Sequence, residues 1–294
     1  MREKRRSLKR YSQPRGSVPV RRAEAVREAE RMLREAGITE AALDAKYLFF
    51  HVTGLNQMEL LLYGQEELEE VQYSRYQQLL VRRAAHEPLQ YLTGEQEFMG
   101  LTFRVNPAVL IPRQDTECLV EEVMKYASGK RILDVCTGSG CIAVSLAKLA
   151  KPEQVTACDL SEAALAVARE NAKLLEAEIA FKQGDLFEPI EEIYDIIVSN
   201  PPYICTAEVR RLMPEVREHE PWMALDGAED GLTFYRRITA EARRYLKPQG
   251  MLFFEIGCEQ AEAVHGLMQK QGFGNIVVKK DYAGLDRVVY GTLE

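Results

Sequence analysis

The chain carries no C-x-x-C pair, no apolar run of membrane length and no surplus of positive charge, and each absence narrows what it can be. A membrane-crossing helix takes ~18–20 apolar residues in succession. No stretch here approaches that, so no membrane association is expected. The net charge of −7 argues against a broad, salt-driven grip on nucleic acid, which requires many Lys and Arg on phosphates; one basic groove remains compatible with it. Six cysteines, Cys118, Cys136, Cys141, Cys158, Cys205 and Cys258, fall mostly in apolar strand or helix patterns. They read as buried free thiols of a cytoplasmic protein rather than as metal ligands or disulfides. Residues 1–20 are dominated by Arg and Lys, with Glu3 the one acid. They lack an apolar h-region, which excludes a secretory signal. An Arg-rich, acid-poor start also suits a transit peptide; the reading adopted is a disordered basic tail or an early start codon.

What is present divides in two, as a length of 294 residues suggests for domains of ~150 residues each. From Arg21, Val26, Ala29, Leu33 and Ala36 recur at helical spacing, with Gly37 as a C-cap. Thr39 stands at an N-cap position before the apolar face of Leu43, Tyr47 and Phe50. Further helices are expected over 57–63 and about 66–85, stopped by Pro88. These residues, 21–90, form a small helical domain without cofactor motifs of its own. In 91–112, Gly94, Gly100, Asn106 and Pro107 punctuate short β-prone pieces, which predicts a hairpin joining two domains. A helix over 115–127 follows, and then strands and helices alternate through 113–294. Strands are expected at 131–136, 155–159, 179–183, 194–199, 251–256, 276–280 and 287–292. Helices are expected at 141–149, 161–175, 232–246 and 259–271. Such alternation predicts an α/β, doubly wound, Rossmann-like sheet of seven strands.

Two strand ends carry the chemistry. After the first strand comes Asp134-Val-Cys-Thr-Gly138-Ser-Gly140-Cys-Ile-Ala143, where Gly138 and Gly140 allow a tight turn and close approach of a ligand to the backbone. Asp159 ends the second strand, 21 residues after Gly138, which places a carboxylate against ribose hydroxyls at the C-terminal edge. The turn formally matches a dinucleotide fingerprint, but Asp134, inside the strand end, is foreign to that pattern. An acid, a Gly-rich turn and a second acid on the next strand suit S-adenosylmethionine, which offers ribose hydroxyls, an amino acid group and an adenine instead of a pyrophosphate. Gly184-Asp185-Leu186-Phe187 completes the pocket, with Asp185 placed to accept the adenine amino group and Leu186 and Phe187 as apolar walls.

The other strand end is Ile197-Val-Ser-Asn200-Pro201-Pro202-Tyr203. Both prolines lack an N–H and fix φ, and each pushes the residue before it out of the helical region. The result is a stiff extended corner whose carbonyls, with no ladder partner, point into a cleft beside the Asn200 carboxamide and the Tyr203 ring. A cluster of acceptors like this calls for a substrate with donors. The segment that follows, Ile204 to Asp230, reads as a long functional loop that helps hold the substrate; His219 within it reads as surface polar.

These residues resemble the protein-(glutamine-N5) methyltransferases that modify peptide chain release factors. The resemblance runs from about residue 22 to the end. It rests on Glu87-Pro-Leu-Gln-Tyr-Leu-Thr-Gly94, Ile111-Pro-Arg-Gln-Asp-Thr-Glu117, Asp134 to Gly140, Asn200 to Tyr203, and Ala224-Leu-Asp-Gly-Ala-Glu-Asp-Gly231. It implies a class I S-adenosylmethionine-dependent methyltransferase domain behind a helical substrate-recognition domain. The substrate it implies is the glutamine of the Gly-Gly-Gln motif of a release factor, so that the enzyme tunes translation termination. Expected cofactor contacts are Cys136, Thr137, Gly138, Ser139, Gly140, Asp159, Asp185, Leu186 and Asn200. Asn200, Pro201, Pro202 and Tyr203 are the expected substrate contacts, with Asn200, Pro201 and Tyr203 catalytic. The Asn200 side-chain oxygen and the Pro201 carbonyl would accept both amide N–H groups while Tyr203 packs on the amide plane. Three residues depart from the family pattern. Cys136 replaces the first glycine of the turn and, being small, is tolerated there if its φ is negative; Leu186 replaces a common Trp, and Gln114 a common Pro.

An adenine-N6 methyltransferase of DNA or RNA is the main alternative, because an exocyclic amine can use the same acceptors and a flipped base can stack on Tyr203. Against it stand the acidic N-terminal helices and the lack of a large target-recognition region. A nicotinamide oxidoreductase conflicts with Asp134, and a non-catalytic binding module leaves the set of acceptors without a purpose. The expected enzyme is a monomer that binds its protein substrate and no nucleic acid, and it needs no metal.

Overall fold

The computed structural model describes residues 20–294; the expected basic tail lies outside the described residues except for Val20. The chain divides into two units, one ending at Gly94 and one spanning Glu95–Glu294.

In the first unit, helices α1 (Arg22–Glu35), α2 (Ala41–Thr53), α3 (Gln57–Tyr63), α4 (Glu70–Ala84) and α5 (Leu89–Thr93) surround one core. Leu33, Leu48, Phe49, Tyr76 and Leu80 are fully buried there. Burial of such side chains stabilises the unit by about 1.5–3 kcal/mol each. Helix α3 begins with a capping box, in which the Asn56 side chain accepts from the Met58 and Glu59 amides and Glu59 accepts from the Asn56 amide; this satisfies otherwise orphaned donors. Two expected helix starts move. Glu40 rather than Thr39 precedes α2. Helix α4 begins at Glu70 instead of residue 66, because 64–68 are tied to the chain entry: Gly64 and Glu66 accept from Ala23 and Arg22, and Leu68 donates to Val20.

The second unit opens with an antiparallel hairpin, β1 (Glu95–Phe98) and β2 (Leu101–Arg104), and helix α6 (Gln114–Met124). The sheet strands are β3 (Arg131–Val135), β4 (Gln154–Asp159), β5 (Ala180–Gln183), β6 (Tyr194–Ser199), β7 (Leu246–Glu255), β8 (Phe273–Lys280) and β9 (Asp286–Leu293). Their order is β5-β4-β3-β6-β7-β9-β8, parallel from β5 to β7 and antiparallel where β9 pairs with β7 and β8. Helices α7 (Cys141–Leu149), α8 (Glu162–Leu174), α11 (Thr233–Ala242) and α12 (Ala261–Lys270) connect these strands.

Strand alternation fills the two faces. Leu133, Val135, Ile197, Leu252 and Phe254 pack with Tyr235 and Ile238 of α11 and Val264 and Met268 of α12. Ile132, Ile196, Val198 and Phe253 pack with Leu119 and Val123 of α6 and Ile142 of α7. Side chains of successive strand residues point to opposite faces, so near-continuous apolar runs cover both. The chain winds outward from β3 through β4 to β5 and then returns to place β6 on the other side of β3. That reversal is a topological switch point, and it sets the C-terminal ends of β3 and β6 side by side.

The helix expected over 232–246 stops at Ala242, because Leu246 already pairs with Tyr194 of β6. The next registered pair is Ile196 with Met251, so Lys247 to Gly250 bulge out of the ladder; Pro248 lacks the N–H needed there. The expected long loop 204–230 instead carries α9 (Thr206–Val209), α10 (Pro214–His219) and a 3-10 turn, Trp222–Ala224.

Candidate functional site

The turn after β3 is shaped by three alternate residues at positive φ: Cys136 at 64°, Gly138 at 56° and Gly140 at 79°. The negative φ on which easy tolerance of Cys136 depended is therefore not met. The turn imposes on this residue the left-handed backbone a glycine adopts freely, at a cost of about 1–2 kcal/mol for an L side chain. The turn is held from below. Thr137 N donates to the Cys158 carbonyl at 3.0 Å, Gly138 N to Asp159 Oδ2 at 2.9 Å, and Thr137 Oγ1 to Asp134 Oδ2 at 2.6 Å. Gly140 has a second constraint, since a Cβ there would stand 3.0 Å from the Ala168 Cβ of α8.

The acids are poised by burial. Asp134 is fully buried and pushed up to about 7, chiefly by desolvation and against the pull of the Thr137 hydroxyl; its Oδ1 makes no hydrogen bond among the described residues. Burial also raises the Asp159 carboxyl, opposed by the Ser161 and Gly138 amides that it accepts. A carboxylate offers about four acceptor sites, so Asp159 retains capacity for a ligand. Burial likewise pushes the Cys136 thiol well above its ordinary value, which makes it a poor nucleophile.

The corner after β6 is tied down by side chains. Ser199 Oγ donates to the Val135 carbonyl at 2.7 Å, linking the ends of β6 and β3. Asn200 Nδ2 donates to Thr116 Oγ1 on α6 at 3.3 Å, which leaves Oδ1 as the acceptor of this side chain. The Tyr203 hydroxyl donates to Glu255 Oε1 at the end of β7, 3.2 Å away. Gln260 Nε2, just before α12, donates to the Tyr203 carbonyl at 2.9 Å and the Gly231 carbonyl at 3.3 Å. The Ala224–Gly231 segment packs closely against this corner. A Cβ on Gly231 would lie 2.3 Å from the Tyr203 carbonyl oxygen, and one on Gly227 2.9 Å from the Pro202 oxygen. The expected open cluster of carbonyls is thus narrower, because Tyr203 O is already occupied by Gln260.

Turn and corner share one cavity. Cys136, Thr137, Gly138, Ser139, Asp159, Asp185, Leu186, Asn200 and Pro202 line it; Gly140, Pro201 and Tyr203 do not. Phe187, expected as a wall, instead stacks on Tyr245 at 4.7 Å in the core. The Asp185 carboxylate is paired with Arg237 at 2.8 Å. Leu186 lines the cavity, 4% exposed, and its carbonyl accepts from the Cys158 thiol.

Several residues escaped the sequence reading. Asn171, fully buried on α8, accepts from the Arg104 amide and donates to the Arg104 and Ser139 carbonyls, so that it joins hairpin, helix and turn. Arg113, on the cavity wall, pairs with buried Glu220, and Pro221, Met223 and Ala224 beside that pair also line the cavity. Thr116, Glu255 and Gln260 are the corner's partners. Arg113 and Thr116 stand in the Ile111–Glu117 motif, and Glu255 had a readable signal of its own, as an acid inside the apolar run Leu252-Phe-Phe-Glu-Ile256.

Two family descriptions match the chain: the PrmC N-terminal domain over residues 24–94 and the methyltransferase small domain over 113–215. The release factor glutamine methyltransferase of Geobacter sulfurreducens is 45% identical over 263 residues, 89% of this chain and 93% of that protein. That of Moorella thermoacetica is 45% identical over 271 residues, 90% of this chain and 95% of its own. Among solved structures, a methyltransferase from Pyrococcus furiosus superposes with a TM-score of 0.52 at 17% identity, covering 66% of this chain and 90% of that one. A T. thermophilus 16S rRNA methyltransferase solved with AdoMet and guanosine does so at 0.51 and 16%, covering 68% and 50%; likeness at this identity concerns the fold. The second unit therefore has the class I methyltransferase fold. With relatives of 45% identity over 89–90% of its length, the chain belongs to the release factor glutamine methyltransferase family.

Proposed function

We propose that this enzyme methylates the side-chain amide nitrogen of the glutamine in the Gly-Gly-Gln motif of peptide chain release factors, with the Asn200 corner as its amide-holding site. The observation that carries this reading is the fixed Asn200 carboxamide. With Nδ2 bound to Thr116, its oxygen is the acceptor on a cavity-lining residue, one strand away from the Gly138 turn.

The residues present fit the cofactor. Asp159 has acceptor capacity for ribose hydroxyls, and Leu186 supplies an apolar wall for the adenine. Cys136, Thr137, Gly138, Ser139 and Gly140 would hold the ligand through the turn, with Asn200 at the boundary between cofactor and substrate. Asp185, engaged with Arg237, would reach the adenine amino group with its remaining lone pairs.

S-adenosylmethionine supplies an electrophilic methyl group on a sulfonium. An amide nitrogen is a poor nucleophile, because its lone pair is delocalised into the carbonyl. Asn200 Oδ1 and the Pro201 carbonyl would accept its two N–H bonds, orient the nitrogen for in-line displacement and draw density onto it as charge develops. Pro202 keeps the corner extended. Tyr203, its hydroxyl anchored on Glu255, would present its ring edge and plane to the amide. The nitrogen loses a proton after transfer, so no strongly shifted general base is required.

We assign recognition of the release factor to the helical unit, 21–90, and regard 91–112 as its connection to the catalytic domain, 113–294. The helical unit exposes Met58, Leu61, Leu62 and Val71, each at least 65%. Its substrate is a protein and not a nucleic acid, in keeping with the net charge of −7. The enzyme acts as a cytoplasmic monomer; no helix among the described residues is long and apolar enough to cross a membrane. The deciding experiment offers labelled S-adenosylmethionine with purified release factor or with DNA. Label on the release factor is expected; label on DNA, or on neither, would overturn the reading.

A further inference from the structure

Behind the corner lies a polar cluster that methyl transfer as described does not use. Glu255 is 1% exposed, between fully buried Phe254 and Ile256. A buried carboxylate costs several kcal/mol unless it is paired and hydrogen-bonded. Its Oε1 accepts the Tyr203 hydroxyl, while Oε2 has no hydrogen-bond partner among the described residues. The polar side chain that faces this carboxylate from α6 is Thr116, itself 2% exposed. Thr116 Oγ1 in turn accepts from Asn200 Nδ2. Arg287 supplies the neighbouring positive charge and is fixed by Asp281, Asp115 and the Ile256 carbonyl. Burial pushes the Glu255 carboxyl up to about 7, against the pull of Thr116, Arg287 and Tyr203 and with a smaller push from Asp115.

We propose that Glu255 and Thr116 are positioning residues that fix which end of the Asn200 carboxamide faces the substrate nitrogen. A threonine hydroxyl has a single hydrogen. Directed at Glu255, it leaves Oγ1 to Asn200 only as an acceptor, so Asn200 must bring its NH₂ to Thr116 and its oxygen to the cavity. Glu255 also draws the Tyr203 hydroxyl back, so one acid sets the orientation of both side chains. Glutamine at 255 offers one oxygen in place of two and an NH₂ that can donate to Thr116 Oγ1, which would turn the Thr116 hydrogen toward Asn200. The Asn200 carboxamide would then flip and present donors to a substrate amide that also offers donors. This inference rests on the proposed role of Asn200.

The test uses the full chain with Thr116→Val, Thr116→Ser, Glu255→Gln and the double variant Thr116→Val/Glu255→Gln. Methyl transfer to release factor gives kcat and KM, and titration with S-adenosylhomocysteine reports an intact cofactor site. Thr116→Val keeps the shape and removes the hydroxyl. It is expected to lower kcat by about 100-fold, as for a misplacement of about 1 Å, while cofactor affinity stays within about threefold, and Thr116→Ser should recover kcat to within about threefold. Glu255→Gln should fall as far as Thr116→Val, and the double variant no further, because the two act through one carboxamide. Wild-type kcat in Thr116→Val, a serine variant as slow as the valine one, or losses that multiply in the double variant would overturn the proposal. So would a loss of cofactor affinity that matches the loss of kcat. If Glu255→Gln does not fold, the Thr116 pair decides alone. Failure of the wild-type enzyme to label release factor would instead count against the proposed function, which keeps the two failures apart.

Discussion

The turn after β3 and the corner after β6 occupy adjacent strand ends, but they are built from different materials. The turn is mostly backbone: three residues at positive φ, amides donating to Asp159 and to the Cys158 carbonyl, and one helix packed against Gly140. The corner is mostly side chain, with Thr116, Glu255 and Gln260 reaching it from α6, β7 and the approach to α12. A backbone-built site depends on conformation and tolerates changes of side chain. A site held by distant side chains depends on their orientation and fails when one is disturbed. On the proposed function the turn takes the cofactor and the corner holds the acceptor nitrogen.

Three substitutions probe that difference. Gly231→Ala should have the largest effect. Its Cβ would collide with the Tyr203 carbonyl oxygen at 2.3 Å, and its φ of 70° disfavours any side chain. A misplacement of about 1 Å at a reacting group costs roughly 100-fold in rate, so kcat should fall about that far while the dissociation constant for S-adenosylhomocysteine remains near wild type. Equal damage to both would merge the two regions into one rigid body. Asp159→Ala should act on the other side. Loss of a charge-assisted acceptor costs about 1.5–3 kcal/mol, which amounts to about 10–100-fold weaker cofactor binding by calorimetry. Its kcat at saturating cofactor should change much less. The smallest effect belongs to Cys136→Gly. Relief of about 1–2 kcal/mol of left-handed strain, less about 0.5–1 kcal/mol of added backbone entropy, predicts a stability gain of at most about 1.5 kcal/mol in chemical denaturation. Loss of stability would show that the thiol's packing outweighs the strain.

The same contrast explains what the sequence disclosed. The seven strands and their helices were legible because apolar periodicity is local, and the Gly138 turn because its spacing from Asp134 and Asp159 is too. Helix α7 and strand β6 fall at the residues expected. The positive φ of Cys136 was hidden because a cysteine at that place reports nothing of its backbone. The partners of the corner were hidden by distance: Thr116 stands 84 residues from Asn200, Glu255 52 from Tyr203, and Gln260 57 from Tyr203. Pairings of that range follow from strand order and helix placement, which no local pattern encodes. The C-terminal end of the 232–246 prediction failed for a similar reason. Pairing with Tyr194 draws Leu246 into the sheet and overrides the local helical preference.

The central claim is a division of labour, with the turn holding the methyl donor and Asn200 holding the acceptor amide. Asn200→Ala, assayed side by side for methyl transfer to release factor and for S-adenosylmethionine binding, tests it most directly. The account predicts that transfer is abolished while cofactor affinity is nearly unchanged. Equal loss of transfer and binding in that titration, or transfer that persists without the carboxamide, would contradict it.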